Sequence, residues 1–263
     1  MTQVLDHGYI RLVETWGSDE RIVEAARMST GKGFLGWGGD ALCTKCGRNA
    51  SAVPSQKYCG RGDDKDNGHS WKVVETPGDE KLLAYLYNNK HSTPFEMAGL
   101  VIEVKAPIFV FREWHRHRTQ SYNEMSARYI PLPDENYVPD ISRLLDGANT
   151  ATANKQAQGK GGLSNSDAVL WSERLRQHYA NAQQLYADGI DMGVPKELAR
   201  LPVPVSRYSR MRASANLRNW LGFLTLRMDP AAQWEIRQYA NAVGSLIETN
   251  FPRTWELFSK EAS

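Results

Sequence analysis

The stretch RHRTQSYNEMSARY, residues 116–129, gathers three arginines, one histidine, one glutamate, two serines and two tyrosines. Arginine presents a planar fork of N–H donors that matches a phosphate. Glutamate and serine add an acceptor and a donor suited to a ribose hydroxyl or a base edge. Glu124, Ser126 and Arg128 recur at spacings of two, so in an extended stretch they face one way. The plainer account is a helix C-terminus whose dipole is complemented by Arg116, His117 and Arg118. It leaves the later residues unexplained. The chemistry is that of a nucleotide site assembled from side chains.

More arginines follow. Arg200 lies in PKELARL, and Arg207, Arg210, Arg212 and Arg218 lie in SRYSRMRASANLRNW. Arg227 is flanked by Leu224, Leu226 and Met228. A cation among apolar neighbours needs an anionic or polar partner. The glycines of GKGFLG, 31–36, imitate a dinucleotide fingerprint, but a helix precedes them where a strand is required. A flexible loop is the better account.

A second cluster is metal-like. Cys43 and Cys46, with Gly47 after them, can bring two thiolates onto one tetrahedral ion. Cys59 and His69 complete a Cys3His set. An unmetallated loop, or Asp63, Asp64 or Asp66 in place of His69, remains open. So polar a segment has little apolar mass of its own, and a structural zinc would explain how it folds.

Positioning these groups requires elements that the pattern supplies. Residues 1–30 read as a short strand and then a helix capped by Ser18, with Asp19 and Glu20 in its first turn. Residues 31–75 change composition and read as an insertion between helices. A second helix begins near Gly78-Asp79. GLVIEVKAP alternates like a strand, and Pro107 suits the first turn of the helix PIFVFREWHRH. The polar run 146–166 is a long loop. A helix from about Asp167 to Asp188 is expected to stop at Gly189. Pro195 opens a short helix. Asp229-Pro230 is expected to start a long one, with Ile236, Tyr239, Val243 and Ile247 on one face. The fold class is α+β: a single catalytic domain with an antiparallel or mixed sheet and long helices, 1–30 and 76–263. It carries a small zinc-ribbon-like module, 31–75.

The 263 residues suffice for one good core, and 32 basic against 30 acidic residues argue against nucleic-acid binding by bulk charge. No apolar run suits a bilayer span and no secretory pattern opens the chain, so a cytoplasmic location is expected. Three cysteines argue against a disulfide framework.

On Arg116-His117-Arg118, seven residues and Ser126, the chain resembles the flavin-dependent thymidylate synthases. HSTPFE at 91–96, AARMS at 25–29, VPKELAR and LRMDPAAQWEIRQYA agree. The resemblance implies dTMP synthesis from dUMP, with methylenetetrahydrofolate as carbon donor and bound FAD reduced by NADPH. It also implies a homotetramer with active sites built from several subunits. Ser29, Thr93, Glu96, Arg116, His117, Arg118, Glu124, Asn216 and Arg218 would contact FAD. Glu113, Arg116, Glu124, Ser126, Ala127, Arg128, Arg200 and Arg227 would hold dUMP, with Arg227 polarising the ring.

Three departures from the family pattern are visible: Glu113 for a glutamine, Ala231 for a histidine, and Gly222 for an amide or imidazole. No cysteine lies outside the insertion, so cysteine attack on the uracil ring is closed. Ser126 has no sequence-adjacent base to activate it and reads as a binding residue. The rival reading is a non-catalytic nucleotide- or nucleic-acid-binding protein with a zinc ribbon.

Overall fold

The computed structural model describes residues 1–43, 45, 49–50, 70–73, 78–146 and 163–262. They form two compact units, each drawn from separate stretches of chain. The first contains Met1–Glu14, Leu100–Ala215 and Asn219–Leu246. The second contains Thr15–Gly99, Asn216–Arg218 and Ile247–Ser263.

The main sheet has five strands in the order β1-β2-β6-β8-β7. They are β1 (Thr2–Val4), β2 (Gly8–Trp16), β6 (Gly99–Pro107), β7 (Ser121–Glu124) and β8 (Tyr208–Asn216). β1 pairs antiparallel with β2, and β7 with β8. The alternation seen in GLVIEVKAP is real: Leu100, Ile102, Val104 and Ala106 are fully buried. β8 was not expected as a strand. Its arginines conceal the same period, with Met211, Ala213 and Ala215 buried and Arg210 and Arg212 exposed.

The core of this unit is aromatic. Trp114 stacks on Phe223 at 4.6 Å between ring centroids and meets Trp220 edge-on at 6.4 Å. Trp220 Nε1 donates to the Leu100 carbonyl at 3.1 Å, so its buried N–H is satisfied. At Gly8 any β-carbon would run into the Tyr239 hydroxyl, which donates to the Lys105 carbonyl at 3.0 Å.

In the second unit, α1 (Asp19–Arg27) is capped by Ser18, whose hydroxyl accepts from the Arg21 amide at 3.3 Å. Asp19 turns the other way. Its carboxylate accepts from the Thr254 hydroxyl at 2.6 Å and from the amides of Arg253 and Thr254, at the N-terminus of α10 (Pro252–Ala262). An anion there satisfies amides that have no intrahelical acceptor.

The three-stranded sheet β4-β3-β5 lies within the insertion: β3 (Ala41–Cys43), β4 (Asn49–Ala50) and β5 (Trp71–Val73). The chain enters and leaves this region at one point. The Asp79 amide donates to the Gly36 carbonyl at 3.0 Å, and the Asp79 carboxylate accepts from the Leu35 amide at 2.7 Å while pairing with Arg27. Trp37 is buried, donates to Glu20 at 2.8 Å, and carries the Arg253 guanidinium 4.2 Å from its ring centroid. Residues at the edge of the expected insertion are thus packed structure.

Three expected helix ends are corrected. α6 runs Asn165–Asp191, past Gly189. Gly189 instead permits close approach, since a β-carbon there would sit 3.4 Å from Ala199 of α7 (Lys196–Ala199). The left-handed residue after the helix is Gly193, at φ +82°. The last long helix of that face, α9 (Trp234–Asn250), starts after Asp229-Pro230. The Asp229 side chain accepts from the Ala231 amide at 2.7 Å and closes a turn instead of capping a helix. Pro107 is the N-cap of α4 (Ile108–Trp114) at ψ 145°, and that helix stops before Arg116. The expected face of α9 does hold, with Ile236, Tyr239, Val243 and Ile247 fully buried.

Candidate active site

The signature residues sit in the turn between α4 and β7. The turn is pinned at both ends. The Trp114 indole donates to Gln120 Oε1 at 3.0 Å, and the Tyr122 hydroxyl reaches the carbonyls of His117 at 2.8 Å and Trp114 at 3.2 Å. Burial pushes the Tyr122 phenol up to about 12, so it stays a donor. This geometry splits Arg-His-Arg. Arg116 and Arg118 are exposed, and neither guanidinium has a partner among the described residues. His117 turns inward, its ring edge-on to Phe223 at 4.9 Å.

His117 meets Arg227, the last residue of α8 (Leu217–Arg227). Arg227 Nε donates to His117 Nε2 at 2.9 Å, Nη1 to Glu113 Oε2 at 3.0 Å, and Nη2 to the Glu113 carbonyl at 2.9 Å. The arginine side chain is only 16% exposed. A ring nitrogen that accepts is unprotonated, so His117 is neutral with its proton on Nδ1. Burial, reinforced by the Arg227 charge and opposed by Glu113, pushes its pKa down to about 4. The partner expected for Arg227 is therefore present, and it is Glu113.

Beside α4 and β7 lies a cleft of about 480 Å³. Glu124, Ser126, Ala127 and Arg200, all among the residues the resemblance assigns to dUMP, line it. Glu113, Arg116, Arg128 and Arg227 are not in its wall. Arg128 pairs instead with Glu197 at 3.3 Å on the surface. The Ser126 hydroxyl accepts from the Arg128 amide at 3.3 Å, and no base touches it among the described residues. Two polar lining residues were missed, Arg112 and Ser209. Arg112 stood in an apolar helix and drew less notice than the cluster after it. Ser209 is buried with its hydroxyl unpartnered among the described residues, and only the period of β8 would have revealed it.

The remaining expected flavin contacts belong to the second unit. Thr93 and Glu96 lie on α3 (Ser92–Glu96), and Asn216 and Arg218 flank the junction of β8 with α8. Arg218 Nη1 donates to Glu96 Oε1 at 2.6 Å. Ser29 sits in a short 3-10 turn, its hydroxyl donating to the Ala26 carbonyl at 3.1 Å. Of the metal set, Cys43 is buried at the end of β3, across from Trp71. Cys46, Cys59 and His69 lie outside the described residues. Among the described residues no group of three or more His, Cys, Asp or Glu could hold a metal ion. No helix among them is long and apolar enough to cross a membrane.

A cleft with two arginines, a glutamate and two serines in its wall, on a mixed α/β scaffold, suits an anionic, hydroxyl-bearing ligand. The model of the family described as "Thymidylate synthase complementing protein" matches residues 11–253. The chain is 35% identical over 257 residues to the flavin-dependent thymidylate synthase of Thermus thermophilus, covering 98% of this chain and 77% of that one. It is 34% identical over 264 residues to that of Thermosipho africanus, covering 99% and 94%. Among solved structures, the UMP/dUMP methylase PolB from Streptomyces cacaoi, bound with 5-Br dUMP, is similar at TM-score 0.73 and 29% identity, covering 99% and 97%. The chain belongs to the flavin-dependent thymidylate synthase family and is an enzyme.

Proposed function

We propose that the chain converts dUMP to dTMP. Methylenetetrahydrofolate supplies the one-carbon unit, NADPH supplies the hydride through bound FAD, and tetrahydrofolate and NADP+ leave. The observation that carries this reading is the cleft, whose charges suit the two ends of a nucleotide. Arg112 and Arg200 match the phosphate, while Glu124 and Ser126 match the sugar or base edge. Arg116, Ala127 and Arg128 are the further candidates for the substrate set.

Uracil C5 must become nucleophilic to take the carbon. A held cation at the N3/O4 edge favours the N3 anion and moves electron density towards C5. Arg227 is the residue we assign this work, because it stands where the family residue with that role stands, and two of its five N–H donors have no acceptor among the described residues. Its burial keeps water from screening the charge.

FAD, when bound, supplies hydride to the one-carbon unit. The donor set fits it: Arg116 and Arg118, exposed and with guanidinium groups unpartnered among the described residues, suit a pyrophosphate, and neutral His117 offers its Nδ1–H. Ser29, Thr93, Glu96, Glu124, Asn216 and Arg218 complete the flavin set. The working assembly is a cytoplasmic homotetramer acting on small molecules. Residues 31–75 form an inserted module holding one structural zinc through Cys43, Cys46, Cys59 and His69, outside the catalytic domain of 1–30 and 76–263. What supports it is the Cys-x2-Cys-Gly turn in a segment poor in apolar mass.

The test is turnover. Purified protein given dUMP, methylenetetrahydrofolate and NADPH should release dTMP, with UMP run alongside as the competing substrate. A yellow protein that releases no dTMP is a nucleotide binder only, and a colourless one has lost the flavin reading as well. Elemental analysis of protein never exposed to chelator should find one zinc per chain, and a value well under one removes the metal.

A further inference from the structure

Arg227 ends its helix, and a long side chain there has rotamers to lose before it can act on a ring. Three bonds restrain it. Two come from one residue: the Glu113 carboxylate takes Nη1 at 3.0 Å and the Glu113 carbonyl takes Nη2 at 2.9 Å. The third acceptor, His117, is neutral. Glu113 is therefore the charged partner of Arg227 among the described residues. It stands on α4 next to Trp114, which is fully buried, so the anchor itself is rigid.

We propose that Glu113 is a positioning residue for Arg227: it aims the guanidinium so that two N–H donors stay free for the nucleobase, and its carboxylate offsets part of the cation's charge. This rests on the role of Arg227 given above and replaces direct nucleotide binding as the first duty of Glu113. Carboxylate and amide differ usefully here. Glutamine offers an acceptor oxygen at the same reach without the negative charge. Aspartate keeps the charge and falls short by one methylene, losing the bond. Position and charge thus separate in two conservative variants.

The experiment compares wild type, Glu113→Gln and Glu113→Asp at saturating dUMP, with flavin content and melting temperature as folding controls. Position is expected to dominate, giving kcat in Glu113→Gln at or above wild type and in Glu113→Asp lower by roughly tenfold or more. The KM for dUMP should move little in either. Any other order of kcat overturns the proposal, as does a rise in KM with kcat unchanged, which would make Glu113 a plain substrate contact. Wild-type turnover is measured first. Its absence sinks the dTMP reading and this proposal together, whereas normal wild-type turnover with the wrong order sinks this proposal alone.

Discussion

Two arginines of the same unit are handled in opposite ways. Arg207 is fully buried, and its guanidinium donates to the Pro133 carbonyl at 2.7 Å and to Gln183 Oε1 at 2.8 Å, with Asp134 at 3.2 Å. Burial pulls its pKa below the ordinary arginine value. Arg227 keeps a small exposed face, leans on a ring nitrogen and a half-exposed carboxylate, and retains two N–H donors with no acceptor among the described residues. The first arrangement commits its two terminal nitrogens to joining loop to helix, and leaves its buried Nε without a partner among the described residues. The second holds a cation ready for something not in the chain. Position in an arginine-rich sequence does not separate the two; the acceptors do.

The contrast breaks most visibly through Arg227→Ala. At saturating dUMP, dTMP formation should fall by two to three orders of magnitude, about 3–4 kcal/mol, while FAD stays bound and NADPH still reduces it. Arg207→Met should do the reverse. It removes the two part-buried bonds to the Pro133 carbonyl and Gln183, so the urea midpoint should drop by an amount equivalent to about 1–3 kcal/mol. Its folded fraction should turn over near the wild-type rate. If the two variants exchange phenotypes, the assignment of roles is wrong.

A third experiment sharpens the Arg227 side through His117. The ring's pKa is held near 4 in the folded chain, against an ordinary 6.5 when unfolded. The unfolded chain then binds the extra proton between those values, so stability should be full above about pH 6.5 and decline as pH falls towards 4. His117→Gln keeps an acceptor for Arg227 but cannot titrate. Its melting temperature should lose less than that of wild type across this window, and equal losses would place His117 outside the titration. The smallest effect belongs to Ser126→Ala, where a lost neutral hydrogen bond costs about 0.5–1.5 kcal/mol. It should appear in KM for dUMP and vanish from kcat at saturation.

Much of this was legible in the chain. Ser18 announced α1, the alternation of GLVIEVKAP announced β6, and the need of Arg227 for a partner followed from its apolar neighbours. Glu124 and Ser126 were singled out because their types and spacing suit nucleotide chemistry, and Arg200 by the family resemblance; the three share a cleft, while Arg128, singled out with the first two, pairs with Glu197. What was missed depends on tertiary pairing. β8 alternates correctly, yet Arg210 and Arg212 on its exposed face drew attention as ligands. Gly189 looked like a stop signal and is a contact with Ala199, a fact of helix packing that no local pattern contains. The Arg227 partner lies more than a hundred residues away in sequence.

The Gly36–Asp79 closure has a consequence for how the molecule breathes. The amides of Leu35, Gly38 and Asp79 are bonded at the base of the detour, to Asp79, Glu80 and Gly36 respectively. Those bonds depend on α1 and α2 (Glu80–Asn88), not on anything further out along the detour. Amides at the base should therefore exchange hydrogen for deuterium only when the second unit opens. Those on β3 and β5 are free to follow a faster, separate clock.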